Sequence, residues 1–255
     1  MQKIHKFSAA GNDFFISLSS NQFKVREILD RHFGIGADGL IEITRNSEGF
    51  EFNLFNADGS SAEISGNGLR AAAHFLVREG LVANDSFSIK TQAGQKSVKI
   101  LKNNGDYAFI EVHFGQVQFN ELYEIRIDDQ QLKVFVINTG NPHAVVIGAQ
   151  NIELNKLRND VVSLVGKDLN VEKVILQPQG ISIEIYERGV GRTLACGSGS
   201  VATAKALERL GYNHEVFEIK NPGGTLGVRR QGDEFYLSGP SIYIGAIEPA
   251  ERYLA

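Results

Sequence analysis

Sulfur and tryptophan are almost absent from this sequence: its 255 residues include one cysteine, Cys196, one methionine, Met1, and no tryptophan. A single thiol cannot close an internal disulfide, which points to a reducing setting. No apolar run approaches the roughly 18 residues that cross a bilayer as a helix. The opening stretch "MQKIHKFSAAGNDFFIS" lacks the apolar core of a secretory signal, so a cytoplasmic location is expected. A dense basic stretch is missing too: 26 Lys and Arg are scattered among 30 Asp and Glu, for a net charge of −4. Neither nucleic acid nor a membrane surface is an expected partner. There is no low-complexity linker, and no group of His, Cys, Asp and Glu has the sequence spacing of metal ligands.

What is present is a chain long enough for a sizeable core, with 42% hydrophobic and 22% charged residues. Short runs alternate apolar and polar residues, the mark of half-buried strands. They include "FSIKT" (87–91), "SVKIL" (97–101), "AFIEVH" (108–113), "KVFVIN" (133–138), "ISIEIY" (181–186) and "VFEIK" (216–220). Helical periodicity is confined to 24–31, 68–79 and 200–210, the last two each ending before a glycine, Gly80 or Gly211. The order is duplicated: strands lead into "NADGSSAEISGNG" and a helix, then more strands lead into "ERGVGRTLACGSG" and a helix. The expectation is an α+β chain of two similar domains, each a sheet with one main helix. They cover 1–115 and 116–245, with 246–255 returning to the first.

Cys196 sits in "LACGSGS" (194–200), just ahead of the last helical stretch. A lone cysteine is usually an inert, buried hydrophobe, but these surroundings favour chemistry. Gly197 and Gly199 let the backbone come close to a ligand, and a helix start offers unpaired N–H groups and a positive dipole end. Such a place favours a thiolate and holds a carboxylate. Ser65-Gly66-Asn67-Gly68 repeats the layout ahead of the earlier helix. Two proton-handling groups on opposite faces of one carbon are what a racemase or epimerase needs, with N–H groups stabilising the carbanion-like transition state through its carboxylate. The plainer alternative is a pair of ordinary glycine-rich helix starts.

"KFSAAGNDFFIS", "RHFGIGADGL", "FNADGSSAEISGNGLRAAAHF", "NTGNPHAVV" and "YERGVGRTLACGSGSVATAKA" resemble, in order and over nearly the whole chain, the successive motifs of the diaminopimelate epimerase family. The resemblance implies two pseudo-symmetric domains, each a barrel-like, mostly antiparallel sheet around a central helix, with the active site in the cleft between them. It implies interconversion of LL- and meso-diaminopimelate, on the route to lysine and peptidoglycan, without pyridoxal phosphate, other cofactor or metal, by a homodimer. Cys196 then matches one of two catalytic cysteines and Ser65 stands where the other belongs. His143 of "NPH" and Glu187 of "ERG" match the residues that assist proton transfer. Asn12, Asn56, Asn141, Asn170 and Arg188 match substrate ligands, with the Arg188 fork on the distal carboxylate. Gly66, Asn67, Gly197 and Ser198 match loop residues whose N–H groups hold the reacting carboxylate.

Ser65 departs from that pattern. A hydroxyl titrates far above a thiol's value of about 8.5, a gap on the order of 10 kcal/mol against the anion unless a base such as His143 shares the proton. The expectation is an impaired epimerase, with Ser65 either an engineered substitution or a natural serine, as in Ser/Cys members of the related proline racemase group. Three alternatives stay open. Two are a non-catalytic diaminopimelate-binding protein and a racemase of another amino acid, since a fold alone does not fix a substrate. The third is a nicotinamide-dependent oxidoreductase, because "GIGADG" (34–39) and "GSGSVA" (197–202) fit dinucleotide fingerprints. The first leads into the strand-like "LIEIT", however, and the second, although Glu218 follows it, lacks an alternating βαβ surround.

Overall fold

The computed structural model describes residues 3–18, 23–47, 49–62 and 64–255. The elements run β1 (Ile4–Ala9), β2 (Asn12–Ser17), α1 (Val25–Leu29), β3 (Gly39–Asn46), β4 (Gly49–Asn56), β5 (Ser61–Ala62), α2 (Gly66–Arg78), β6 (Ser86–Thr91), β7 (Gly94–Asn103) and β8 (Tyr107–Gln116). There follow β9 (Gln118–Ile127), β10 (Gln130–Asn138), β11 (Pro142–Ile147), α3 (Leu154–Val165), β12 (Asn170–Gln177), β13 (Gly180–Glu187), β14 (Gly191–Arg192), α4 (Gly197–Arg209), β15 (Val216–Asn221), β16 (Gly224–Gln231) and β17 (Glu234–Ile247). The chain divides into two units, Met1–His113 with Ser238–Ala255, and Phe114–Leu237. The return to the first unit begins at Ser238 rather than at residue 246, because β17 continues unbroken and its second half pairs with β1, Ser8 opposite Ile242 through Ile4 opposite Ile247.

The two units repeat one series of pairings. In the first, hairpin β1/β2 takes a parallel step to β3, hairpin β3/β4 a second parallel step to β6, and β6 turns back into β7. In the second, hairpin β10/β11 steps in parallel to β12, hairpin β12/β13 steps in parallel to β15, and β15 turns back into β16. Each unit sets its main helix ahead of the second parallel step, α2 before β6 and α4 before β15. The fold is thus α+β with two pseudo-symmetric halves.

Both main helices are enclosed by their sheets. Every residue from Asn67 to Leu76 of α2 is buried, and the helix packs on β1 to β4. The α4 helix packs on β10, β11, β12, β15 and β16. A helix buried on all sides needs small residues where strands approach, which Ala71–Ala73, Ala202 and Ala204 provide. The α1 helix is shorter than its periodicity suggests. It stops at Asp30, which turns extended at ψ 128° and accepts the N–H groups of His32 and Phe33 at 2.7 Å. The α3 helix is absent from the sequence reading. Its buried face is only Leu154, Leu157 and Val161, and its N-cap is Glu153 rather than Ser, Thr, Asn or Asp.

Candidate active site

The two helix starts are built alike. Cys196 is the N-cap of α4 in extended backbone, φ −126° and ψ 111°, and its Sγ accepts the Gly199 N–H at 3.3 Å. Ser65 is the N-cap of α2 at φ −134° and ψ 124°, and its Oγ accepts the Gly68 N–H at 3.1 Å. By helix geometry the first-turn N–H groups of Gly66, Asn67, Gly197 and Ser198 lack intrahelical partners and carry the positive end of each dipole. Serine is among the preferred capping residues, so Ser65 serves the local structure whatever it does to the chemistry.

In the second unit, the strands that support α4 gather ionisable groups around the thiol. His143 on β11 is fully buried, with Nδ1 at 2.7 Å from Glu172 Oε1 and Nε2 at 3.0 Å from Asn141 Oδ1. A ring nitrogen of His143, a carboxylate oxygen of Glu172 and Cys196 Sγ all lie within 4.8 Å of one another. Glu187, the last residue of β13, accepts the Thr193 hydroxyl at 2.6 Å. Burial pushes the Cys196 thiol well above its usual titration range, and the Glu187 and Glu172 carboxylates add to the effect, against hydrogen bonds from Ser198 and Gly199. The sequence reading expected a thiolate here. The helix field is outweighed by burial and two negative neighbours, so Cys196 rests as a protonated thiol.

The substrate-ligand candidates stand at or next to strand ends within each unit. Asn170 opens β12, donates to Pro142 O at 3.1 Å and accepts the Arg188 N–H at 2.9 Å, which fixes the backbone that presents Arg188. The Arg188 side chain is exposed. In the first unit Asn12 donates to Asp38 Oδ2 at 2.7 Å and accepts from Asn67 Nδ2 at 2.9 Å. Asn56 closes β4 and donates instead to Ser60 Oγ at 3.0 Å.

The family profile for diaminopimelate epimerase matches residues 8–120. A diaminopimelate epimerase of Halothermothrix orenii is 32% identical, over 95% of this chain and 96% of its own. One of Coxiella burnetii is 33% identical, over 94% of this chain and 95% of its own. The chain belongs to the diaminopimelate epimerase family. Solved structures that share the fold include a PhzF-family phenazine biosynthesis protein of Bacillus anthracis, with a TM-score of 0.76 at 15% identity over 98% of this chain and 99% of that one. A probable proline racemase of Agrobacterium radiobacter has a TM-score of 0.73 at 14% identity, over 98% and 93%.

In this member of the diaminopimelate epimerase family, three residues near the helix starts were missed by sequence reasoning. Glu172 lies in "NVEKVIL", where alternation suggests an outward polar residue, yet β12 is buried on both faces from Asn170 to Val174. Arg70 is fully buried in α2, where burial pushes its guanidinium down to about 9, and it donates to Asn67 Oδ1 at 2.7 Å and Gly66 O at 3.2 Å. Asn221 is buried and accepts the Cys196 N–H at 3.3 Å, anchoring the turn into α4. Ligand spacing in the sequence does not reveal the grouping of His143, Glu172 and Cys196, because the three come from three different elements.

Proposed function

We propose that the chain is a cofactor-independent two-base epimerase of LL- and meso-diaminopimelate, impaired by serine at position 65. In this reading each helix start serves one face of the α-carbon, through Cys196 on one side and Ser65 on the other. Gly66, Asn67, Gly197 and Ser198 hold the reacting carboxylate by their N–H groups. Asn12, Asn56, Asn141, Asn170 and Arg188 bind the distal part of the substrate, and His143 and Glu187 assist proton transfer. The chain acts in the cytoplasm as a homodimer, on the route to lysine, without pyridoxal phosphate.

The observation that carries the reading is the repeated helix start, with Cys196 and Ser65 capping α4 and α2 in the same backbone conformation and with the same bond to the third residue on. A two-base epimerase needs two side chains and two sets of N–H groups at one carboxylate-bearing carbon, and each start supplies one of each. The test is proton NMR in heavy water, run separately on the LL and meso forms. Net epimerisation should be slight, with exchange confined to the isomer whose α-proton faces Cys196, and Ser65→Cys should raise epimerisation by at least about 100-fold. Full epimerisation by the serine protein overturns the impairment. Exchange from neither isomer in the Ser65→Cys variant overturns the two-base reading. A protein that binds diaminopimelate without turning it over is the second reading, favoured by a protonated Cys196 and a hydroxyl that caps its helix well. Tight binding by calorimetry with no exchange would decide for it.

A further inference from the structure

Glu172 stands outside the residues assigned above. Its side chain is fully buried, one oxygen is 2.7 Å from His143 Nδ1, and Oε2 has no partner among the described residues. A half-satisfied buried carboxylate is costly, and the fold does not require one there. A Cβ on Gly199 would stand 2.3 Å from Glu172 Oε1, whereas a Cβ on Gly68 would meet Ile41 Cδ1 at 3.4 Å. Isoleucine therefore fills in the first unit the place that glutamate fills in the second. The residue matching His143 is Phe14, which pairs with Gly39 at the start of one parallel step as His143 pairs with Asn170 at the start of the other. Packing is satisfied by phenylalanine and isoleucine beside Ser65, while beside Cys196 the same places hold an imidazole and a carboxylate.

We propose that Glu172 is the positioning residue of Cys196: it holds His143 by Nδ1 and receives, through that pair, the proton that Cys196 must give up before it can act as a base. The inference rests on the epimerase reading. The S–H bond of Cys196 breaks and its proton passes to the Glu172–His143 pair. The thiolate then takes the α-proton and leaves the electron pair on the substrate carbon, and both transfers reverse on the return. The other groups facing the thiol are Glu187 from β13 and, from α4 itself, Ser198 and the Gly199 N–H.

Cys196 is the only cysteine, so the pH dependence of its alkylation rate follows the titration of that one thiol. Glu172→Gln keeps the shape and removes the charge. With that negative neighbour gone, the thiol should titrate at lower pH and alkylate several-fold faster near neutrality. With its proton acceptor gone, α-proton exchange from the isomer facing Cys196 should slow by about 100-fold. Faster alkylation joined to slower exchange, in a variant with the wild-type circular dichroism, is a result that packing alone does not produce. An unshifted thiol titration in the folded variant overturns the proposal, and so does exchange at the wild-type rate. Absence of exchange from both the wild type and Ser65→Cys would instead defeat the epimerase reading, and the titration would still decide on Glu172. Should Glu172→Gln not fold, Glu172→Asp keeps the charge one methylene short of His143. It should slow exchange while the thiol stays above the free-cysteine range, and wild-type exchange there overturns the proposal.

Discussion

Cys196 shows how one residue's chemistry is set by what surrounds it. Its place at a helix start favours ionisation by way of the dipole, an effect of at most about 2 kcal/mol. Burial to 5% exposure and two nearby carboxylates act the other way and prevail. Iodoacetamide should therefore modify Cys196 more slowly than free cysteine near pH 7, with the rate rising into the alkaline range. Stopped assays of alkylation across pH check this, and reaction faster than free cysteine at neutrality would restore the thiolate. Arg188 poses the opposite case, an exposed cation on a backbone fixed by Asn170. If it meets the distal carboxylate of diaminopimelate, Arg188→Ala should weaken binding by roughly 2–4 kcal/mol, read by calorimetry on a protein whose stability is unchanged.

The main helices owe their starts to different constraints despite their common design. A Cβ at Gly68 would touch Ser65 Cβ at 3.3 Å and Ile41 Cδ1 at 3.4 Å, contacts that a small shift relieves. At Gly199 the same atom would lie 2.3 Å from Glu172 Oε1 and 2.9 Å from its Cδ, so the buried carboxylate has to move off His143. Gly68→Ala should change stability by less than about 1 kcal/mol, since helix propensity offsets the crowding. Gly199→Ala should cost about 1–3 kcal/mol and slow α-proton exchange as well. Urea unfolding of the two variants side by side checks the difference, and equal costs would show that Glu172 yields freely.

At the scale of the whole molecule, the first unit carries a charged fastening beside its site residues. In the first unit, Asp13 takes Arg31 at 2.6 Å and Lys6 at 2.9 Å, and Arg31 also reaches Asp38 at 2.6 Å. These contacts hold the 31–38 loop beside Asn12. Burial works to raise the Asp13 pKa, but the hydrogen bonds from Arg31 and Lys6 outweigh it, and the carboxyl stays below its usual range. A depressed carboxyl contributes its full stability above the unfolded value near 3.9 and loses it as pH falls through the folded value. Asp13→Asn should thus cost roughly 2 kcal/mol at neutral pH and flatten the loss of stability below about pH 4. Thermal unfolding of both proteins from pH 7 to pH 2.5 measures it, and parallel curves would remove Asp13 from the account.

Much of this architecture is written locally. Alternating runs mark the strands from β6 to β8 and β10, and glycine-rich turns ahead of small-residue helices mark Ser65 and Cys196 as matched caps, because capping and pleating depend on neighbours in sequence. The α3 helix escapes that reading, since three buried positions on one face are too few to declare it and only packing against the second core makes them count. The same holds for the site. Asn12, Asn141 and Cys196 fall at turns whose chemistry is visible in the chain, whereas the burial of Glu172, its grip on His143 and the protonated state of Cys196 arise where β11, β12, β13 and α4 meet. Charge and burial act through space between residues distant in sequence, so the sequence by itself determined where the thiol stands, and the tertiary structure decided which proton it carries.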